Sequence, residues 1–239
     1  MANGEAFEEV QAICISNPQI SFGVHLVIDE LDSLTKSKIF AERGIIDKKG
    51  VFVKSAIQKV IIDKDLEEAV FSEWDAQICR IKEAGIHISH IDSHHHYHTL
   101  PQLYEVVKKI SDKHQIGKVR LNSWRPLLMP YKKPQKISLC DSSQKDKKKK
   151  NFMILGNKII NYVNTKAEYC KLHNSFKTAD FFTSVAVFYY NVKVMEEWKS
   201  FNTIELMCHP GHPNYTEESL LLHILKSKFG SNYMNYWQL

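Results

Sequence analysis

The sequence predicts an α/β domain in which parallel strands alternate with helices. Three observations lead to this fold class. Short apolar segments rich in β-branched residues alternate with longer segments of helical periodicity. Only 9 glycines and 7 prolines are present, which disfavours an all-β chain with many tight turns. The apolar fraction of 44% over 239 residues is enough for one large core, so we expect a single domain over 1–239 with a parallel sheet or barrel.

The amino-terminal half predicts three helices that alternate with three strands. They are, in order, the helix 6–16, the strand 20–28, the helix 64–84, the strand 86–89, the helix 101–113 and the strand 118–121. The first helix stops before Pro18, because proline cannot continue a helix. The segment 20–28 is apolar almost throughout, which is typical of a strand buried on both faces. The helix 64–84 has acids early and bases late, as the helix dipole favours, and stops at Gly85.

The carboxyl-terminal half continues the alternation. It predicts the helices 152–173 and 192–199, a segment 184–189 that fits helix or strand equally, and a closing strand over 203–209. Between the two halves, the lysine-rich stretch 141–151 is nearly devoid of apolar residues and predicts a solvated loop. Because this loop carries much of the net charge of +5, the charge does not indicate a nucleic-acid partner.

Cysteine usage and the opening residues bear on the compartment. The 5 cysteines are scattered and form no CxxC pair, which predicts reduced thiols rather than a disulfide framework. No apolar run approaches the roughly 20 residues needed to span a bilayer, so no membrane partner is expected. The first ten residues carry acids where a signal peptide has a basic end and an apolar stretch. We therefore expect a cytoplasmic protein.

A histidine-rich segment follows the strand 86–89 and is the strongest chemical signal in the chain. In an extended segment, alternate side chains share one face and can point at one site. The residues that would share it are His90, Asp92, His94, His96 and His98. Neutral imidazoles bind divalent metals, and a nearby carboxylate such as Asp92 commonly orients a ligating ring. The segment predicts a metal site, with a solvated histidine-rich turn as the alternative.

Two further histidines occur in predicted strands. His25 lies inside the strand 20–28, where a lone histidine is more often a hydrogen-bonded core residue than a ligand. His209 lies where the closing strand meets Pro210 and Gly211, a position that often presents catalytic acids and bases. The chain has no P-loop, GxGxxG motif or nucleophile elbow. Metal-assisted hydrolysis is therefore the predicted chemistry.

Several short motifs resemble a known family in the same order along the chain. They are Met1-Ala2-Asn3-Gly4, Gly23-Val24-His25-Leu26, the histidine segment 90–98, Val119-Arg120, and Glu205-Leu206-Met207-Cys208-His209-Pro210-Gly211. Together they resemble the YdjC-like (ChbG-type) carbohydrate deacetylases. The resemblance implies a distorted (β/α) barrel akin to polysaccharide deacetylases, acting on short N-acetylated chitin-type oligosaccharides. It also implies one divalent metal, with Mg²⁺ expected and Zn²⁺ or Co²⁺ as alternatives, and a homodimer.

The resemblance also implies a role for each site residue. The metal ligands of the family correspond to His25 and His94. His209 corresponds to the residue expected to protonate the leaving amine. The residues that would line or support the site are His90, Asp92, His96, His98 and Arg120.

One family feature has no counterpart in the sequence. In the family, a strand ending in Asn-Ala-Asp-Asp-Phe-Gly precedes the segment that resembles Met1-Ala2-Asn3-Gly4. Its two aspartates serve as the general base and the third metal ligand, so we expect a domain with its first strand missing and a weakened metal site. Such a chain fits a shortened gene product, an alternative start or an inactive descendant. The aromatic tail from Tyr236 is expected to act as a cap or a partner contact.

Three hypotheses about function follow from these residues. The first is an N-acetyl sugar deacetylase of the YdjC-like type. The second is a catalytically inactive carbohydrate-binding or regulatory protein that keeps the sugar cleft. The third is a different metal hydrolase, such as a phosphoesterase, that uses the histidine cluster.

Overall fold

Two pairs of parallel strands form the framework of the protein. The computed structural model describes residues 1–121, 174–191, 199–229 and 233–239. Strands β1 (Phe22–Leu26) and β2 (Ile88–Ser93) form one pair, and β3 (Phe181–Ser184) and β4 (Ile204–Met207) form the other. Parallel bridges from Ile91 to Val119 and from Lys118 to Lys177 extend the first pair. The carboxyl ends of parallel strands meet at one edge, which is where side chains for binding and catalysis collect.

Helices and short 3₁₀ turns connect the strands. The α-helices are α1 (Phe7–Ser16), α2 (Lys38–Glu42), α3 (Lys64–Glu83), α4 (Tyr104–His114), α5 (Val185–Asn191) and α6 (Glu218–Phe229). The 3₁₀ turns cover Ala56–Lys59, His94–Thr99 and Pro101–Leu103. Helix α3 begins where the Asp63 carboxylate accepts a hydrogen bond from the Leu66 N–H at 3.1 Å. It ends before Gly85, whose φ of +78° few residues other than glycine adopt without strain.

The structure confirms most of the predicted elements within the described residues and corrects their bounds. The helices predicted over 6–16, 64–84 and 101–113 are present, the last as a 3₁₀ turn followed by α4. The strand predicted over 86–89 instead runs to Ser93, and 118–121 contributes bridges rather than a full strand. The segment 184–189 is helical as α5, and β3 before it was not predicted. The predicted helix 152–173, most of the helix 192–199 and the lysine-rich loop 141–151 lie outside the described residues.

The apolar side chains form two cores of unequal size. The larger one surrounds β1 and β2 and contains fully buried Phe40, Trp74 and Tyr97. The smaller one joins α5 to α6 through Val185, Phe188, Leu221 and Leu225. All four residues of β4 are only half-buried. The first strand pair is therefore held much more firmly than the second.

Two findings bear on the predicted compartment. Within the described ranges, no helix is long and apolar enough to cross a membrane. Cys14, Cys79 and Cys208 are free thiols, while Cys140 and Cys170 lie outside the described residues. A cytoplasmic location stays a prediction.

Candidate metal and catalytic site

The histidine-rich segment changes conformation part-way along its length. Strand β2 ends at Ser93, and residues 94–99 form a 3₁₀ turn in which His95 (φ 49°) and His96 (φ 59°) are left-handed. The Ser93 hydroxyl closes this turn by accepting a hydrogen bond from the His98 N–H at 3.0 Å. The predicted alternation of side chains is therefore wrong beyond Ser93, because the chain turns there to enter α4. The segment divides into a strand part and a turn part with different surroundings.

Asp92 lies at the centre of a buried chain of polar contacts. Its register partner His25 donates from Nδ1 to Asp92 Oδ1 at 2.9 Å. Arg120 donates from its guanidinium to Asp92 Oδ2, and its Nε donates to Glu205 Oε1 at 2.6 Å. Burial opposes the charge of Asp92, but the hydrogen bond from His25 and the charge of Arg120 hold the pKa of Asp92 well below its ordinary value. Asp92 is thus a carboxylate that orients His25, the arrangement expected behind a metal-binding imidazole.

His90 lies at the amino-terminal side of this chain of contacts, under the carboxyl-terminal tail. Tyr236 stacks on its ring with centroids 3.6 Å apart, and the Tyr236 hydroxyl donates to Glu205 Oε2 at 2.5 Å. A Cβ at position 23 would overlap the His90 imidazole, so only Gly23 allows the ring to lie against β1. Burial lowers the pKa of His90 to about 4. The aromatic tail is therefore a cap within the chain, and His90 is a neutral residue packed beneath it.

His98 and His96 differ in how their ring nitrogens are used. His98 is fully buried, with Nδ1 accepting from the Ser93 hydroxyl at 2.6 Å and Nε2 donating to the Arg120 carbonyl at 2.5 Å. Burial lowers the pKa of His98 to about 4, so this histidine supports the turn as a neutral ring. His96 contacts the Phe182 ring edge-on at 5.6 Å, and its buried Nδ1 has no partner among the described residues. His96 therefore keeps an unused nitrogen beside β3.

The turn brings two histidines together with a carboxylate that follows β1. His95 Nδ1 donates to Asp29 Oδ2 at 2.7 Å, and the His94 and His95 rings are 3.8 Å apart. Asp29, His94 and His95 each place a donor atom within 4.8 Å of the other two. Glu30 Oε1 lies 3.2 Å from His94 Nε2. Two imidazoles and a carboxylate are a donor set that divalent metals accept.

The described residues fit a divalent cation at this turn better than elsewhere. Asp29 is fully buried, and within the described residues its Oδ1 accepts no hydrogen bond. The Tyr97 hydroxyl accepts a hydrogen bond from Gln58 at 3.1 Å and lies close enough to Asp29 that burial and the Asp29 carboxylate raise the pKa of Tyr97. A second group of donors, Asp75, Cys79 and His114, lies between α3 and α4. There Lys113 already neutralises Asp75 at 2.7 Å, so that group needs no cation.

His25 lies beside the three-donor cluster without belonging to it. Its ring meets the His94 ring edge-on with centroids 5.7 Å apart. Because Nδ1 is committed to Asp92, His25 offers only Nε2 to a ligand. The structure thus brings both predicted ligands, His25 and His94, to one place and adds Asp29 and His95 to them.

His209 follows β4 and is held by a different set of contacts. The buried Glu218 carboxylate accepts from the His209 backbone N–H at 2.6 Å and from its Nδ1 at 3.2 Å. The imidazole stacks on Tyr215 with centroids 4.5 Å apart, and 38% of the side chain is exposed. Glu218 bonds Nδ1, so Nε2 of this partly exposed ring is the nitrogen that can donate or accept a proton.

Comparison with known proteins decides the family. The model of the family described as "YdjC-like protein" matches residues 1–233. The chain belongs to this family.

Relatives and a solved structure are consistent with the assignment to the YdjC-like family. A carbohydrate deacetylase from Vibrio campbellii is 30% identical over 118 residues, which cover 48% of this chain and 44% of the relative. A carbohydrate deacetylase from Halalkalibacterium halodurans is 25% identical over 86% of this chain and 68% of the relative. The match to the Vibrio relative thus spans less than half of its length. A crystal structure from Enterococcus faecalis, described as a cellobiose-phosphate cleavage protein, superposes with a TM-score of 0.65 at 19% identity. The superposition covers 100% of this chain and 85% of the Enterococcus chain, which shows that the two share a fold.

Sequence reasoning missed several acidic residues of this YdjC-like chain and the contacts of one aromatic residue. Asp29 and Glu30 directly follow a predicted strand, and that position is a signal that could have identified them. Glu205 lies inside a motif that drew attention to His209 instead. Glu218 was not predicted as the partner of His209. The tail from Tyr236 was expected to act as a cap or a partner contact, but its contacts with His90 and Glu205 were not predicted, because these residues are distant in sequence. Both acids that follow β1 became relevant only once the turn had placed His94 and His95 beside them.

Proposed function

We propose that this YdjC-like chain is a metal-dependent carbohydrate deacetylase that removes N-acetyl groups from short chitin-type oligosaccharides. The observation that supports this function best is the group of imidazoles and carboxylates at the carboxyl ends of β1 and β2. Such a group suits the hydrolysis of a neutral amide, since it can hold a metal and orient water. Its occurrence in a family with deacetylase relatives supports the choice of reaction.

His25 and His94 are the proposed metal ligands. A divalent cation bound here, Mg²⁺, Zn²⁺ or Co²⁺, supplies a Lewis acid for the acetamide carbonyl and makes bound water more acidic. The chain contributes the orientation of its ligands. Asp92 holds the His25 ring by its Nδ1, and Arg120 keeps Asp92 ionised and in place.

His209 is the proposed acid that protonates the leaving amine. Amide hydrolysis requires this proton, because an amine leaves far more readily than an amide anion. Glu218 accepts a hydrogen bond from His209 Nδ1, so Nε2 is the nitrogen that exchanges the proton with substrate. His96, with its unused nitrogen and its contact with Phe182, is proposed to line the sugar cleft. His90 and His98 are proposed to support the site from within the fold.

The test is acetate release from N,N'-diacetylchitobiose by the purified, chelator-treated chain with Mg²⁺, Zn²⁺ or Co²⁺ added back. We expect release that requires metal and that disappears in the His94→Ala variant. The same assay is run on a version extended by a family-like Asn-Ala-Asp-Asp-Phe-Gly strand segment. Acetate release by neither version, with sugar binding retained, would contradict the proposal.

The contacts of Asp92 favour a second candidate, a sugar-binding protein without turnover. Both of its carboxylate oxygens are engaged, one by His25 and one by Arg120. These contacts hold the pKa of Asp92 well below its ordinary value, which makes Asp92 a weak general base. Calorimetric binding of the disaccharide without acetate release would select this candidate over the enzyme.

We also propose that the chain forms a homodimer, as the family resemblance implies. Exposed apolar side chains on α1, such as Val10 and Ile13, provide surface that a second subunit can cover. Analytical ultracentrifugation gives the test, with a single monomeric species at micromolar concentration as the contrary result.

A further inference from the structure

Asp29 is a buried acid beside the proposed metal ligands, and the proposed function does not use it. Its side chain is fully buried, and within the described residues its Oδ1 has no hydrogen-bond partner. A buried carboxylate oxygen without a hydrogen bond is unfavourable unless a ligand binds to it. His95 satisfies only the other oxygen, Oδ2, at 2.7 Å.

The backbone of the turn places two imidazoles around this acid. Consecutive residues of a strand point in opposite directions, so His94 and His95 could not share a ligand if β2 continued. The left-handed conformation of His95 brings the two rings to 3.8 Å instead. A non-glycine residue in this region costs energy that surrounding interactions must offset. The strain thus accompanies a convergence of three donors, each within 4.8 Å of the others.

We propose that Asp29 and His95 complete a three-ligand metal site with His94, and that the site prefers a zinc-class cation to Mg²⁺. The inference rests on the proposed function, because His94 is common to both ligand sets. Imidazoles favour Zn²⁺ and Co²⁺, whereas Mg²⁺ selects an octahedron of oxygens. In the metal-free chain, the hydrogen bond between His95 and Asp29 keeps the two donors together.

The surroundings agree with a cation at this point. Glu30 adds a second negative charge 3.2 Å from His94 Nε2. His25 stands next to the cluster, and within the described part of the chain its Nε2 makes no hydrogen bond, so it can serve as a further ligand.

The experiment measures metal binding without substrate. The chelator-treated full chain is titrated with Co²⁺ by calorimetry and by visible absorption, and then challenged with Mg²⁺. The tested variants are Asp29→Asn, which preserves shape, and His95→Ala, which removes a side chain that is 45% exposed. The matched controls are Asp32→Asn and His87→Ala, which change exposed residues outside the cluster. Circular dichroism establishes that each variant is folded.

We expect Asp29→Asn and His95→Ala each to weaken Co²⁺ binding at least about tenfold, with both controls unchanged. A large excess of Mg²⁺ should not displace Co²⁺. Wild-type affinity in Asp29→Asn, or ready displacement by Mg²⁺, would overturn the proposal. The outcome is independent of the proposed activity. Tight, Asp29-dependent Co²⁺ binding without acetate release contradicts only the deacetylase function, while acetate release with Asp29-independent binding contradicts only this site.

Discussion

The histidine-rich segment contains a buried pair of histidines and a partly exposed pair, and the two pairs differ in what their side chains can do. His90 and His98 are buried, with the first stacked under Tyr236 and the second bound through both ring nitrogens. His94 and His95 are partly exposed, and their partners are the acids Glu30 and Asp29. Histidine therefore supports the fold at positions 90 and 98, and at positions 94 and 95 it offers nitrogens that can bind a metal. Burial and committed ring nitrogens make the difference.

The largest effect that tests this comparison is loss of activity in His94→Ala. His94 belongs to every ligand set considered, so acetate release and Co²⁺ binding should both fall to background. His98→Ala should instead lower the free energy of unfolding by about 2–3 kcal/mol, because it empties a buried space and removes the partner of the Ser93 hydroxyl hydrogen and of the Arg120 carbonyl. Urea denaturation and the acetate assay measure the two effects. Full activity in His94→Ala would remove the distinction between the buried and the partly exposed histidines.

His209 extends the comparison to a third region, at the end of β4. As the proposed proton donor, it should be needed for the rate of acetate release and not for metal binding. His209→Ala is expected to reduce acetate release by about 10²–10⁴-fold while Co²⁺ affinity stays unchanged. Glu218→Gln, which disturbs only the orientation of the ring, should have a smaller effect. Loss of Co²⁺ binding in His209→Ala would instead make this histidine a metal ligand.

Arg120 tests how the strand part is held together. Its guanidinium binds Asp92 and Glu205, which connects β2 to β4. Arg120→Met leaves both acids without their counter-charge and should lower the free energy of unfolding by about 3–5 kcal/mol. Arg120→Lys retains the charge without the fork of N–H donors and should recover part of that loss. Equal urea midpoints for the wild type and Arg120→Met would show that the ion pairs contribute nothing.

A smaller effect, the pH dependence of stability, separates the buried histidines from the partly exposed ones. Burial lowers the pKa of His90 and of His98 from 6.5 to about 4, so protonation favours the unfolded chain. Their neutral forms contribute full stability above pH 6.5, and this contribution is lost as the pH falls from 6.5 towards 4. Each histidine adds up to about 1.4 kcal/mol per pH unit within this window.

Urea unfolding at pH 7, 6 and 5 measures this slope. His98→Gln should reduce it by the share of one histidine, whereas the exposed His87→Ala should leave it unchanged. A slope that is equal in the wild type and His98→Gln would show that His98 is not buried as a neutral ring.

Much of this protein could be predicted from local patterns in its sequence. The helical periodicity of 64–84 and its stop at Gly85 define α3, because helices depend on contacts within a few residues. The apolar segment 20–28 and the motifs around His25, His94 and His209 indicated the parallel strands and the family. Propensity, periodicity and short motifs are local properties, and these features depend on them.

Only the tertiary structure decided which histidines are available and which acids accompany them. The alternation predicted for 90–98 assumed a continuous strand, but the Ser93 hydroxyl and the path into α4 impose a left-handed turn. That turn brings His95 to Asp29, which is 66 residues away in the chain. Tyr236 likewise reaches His90 and Glu205 across the fold. A ligand set depends on distances between side chains that are remote in sequence, and chain packing alone determines those distances.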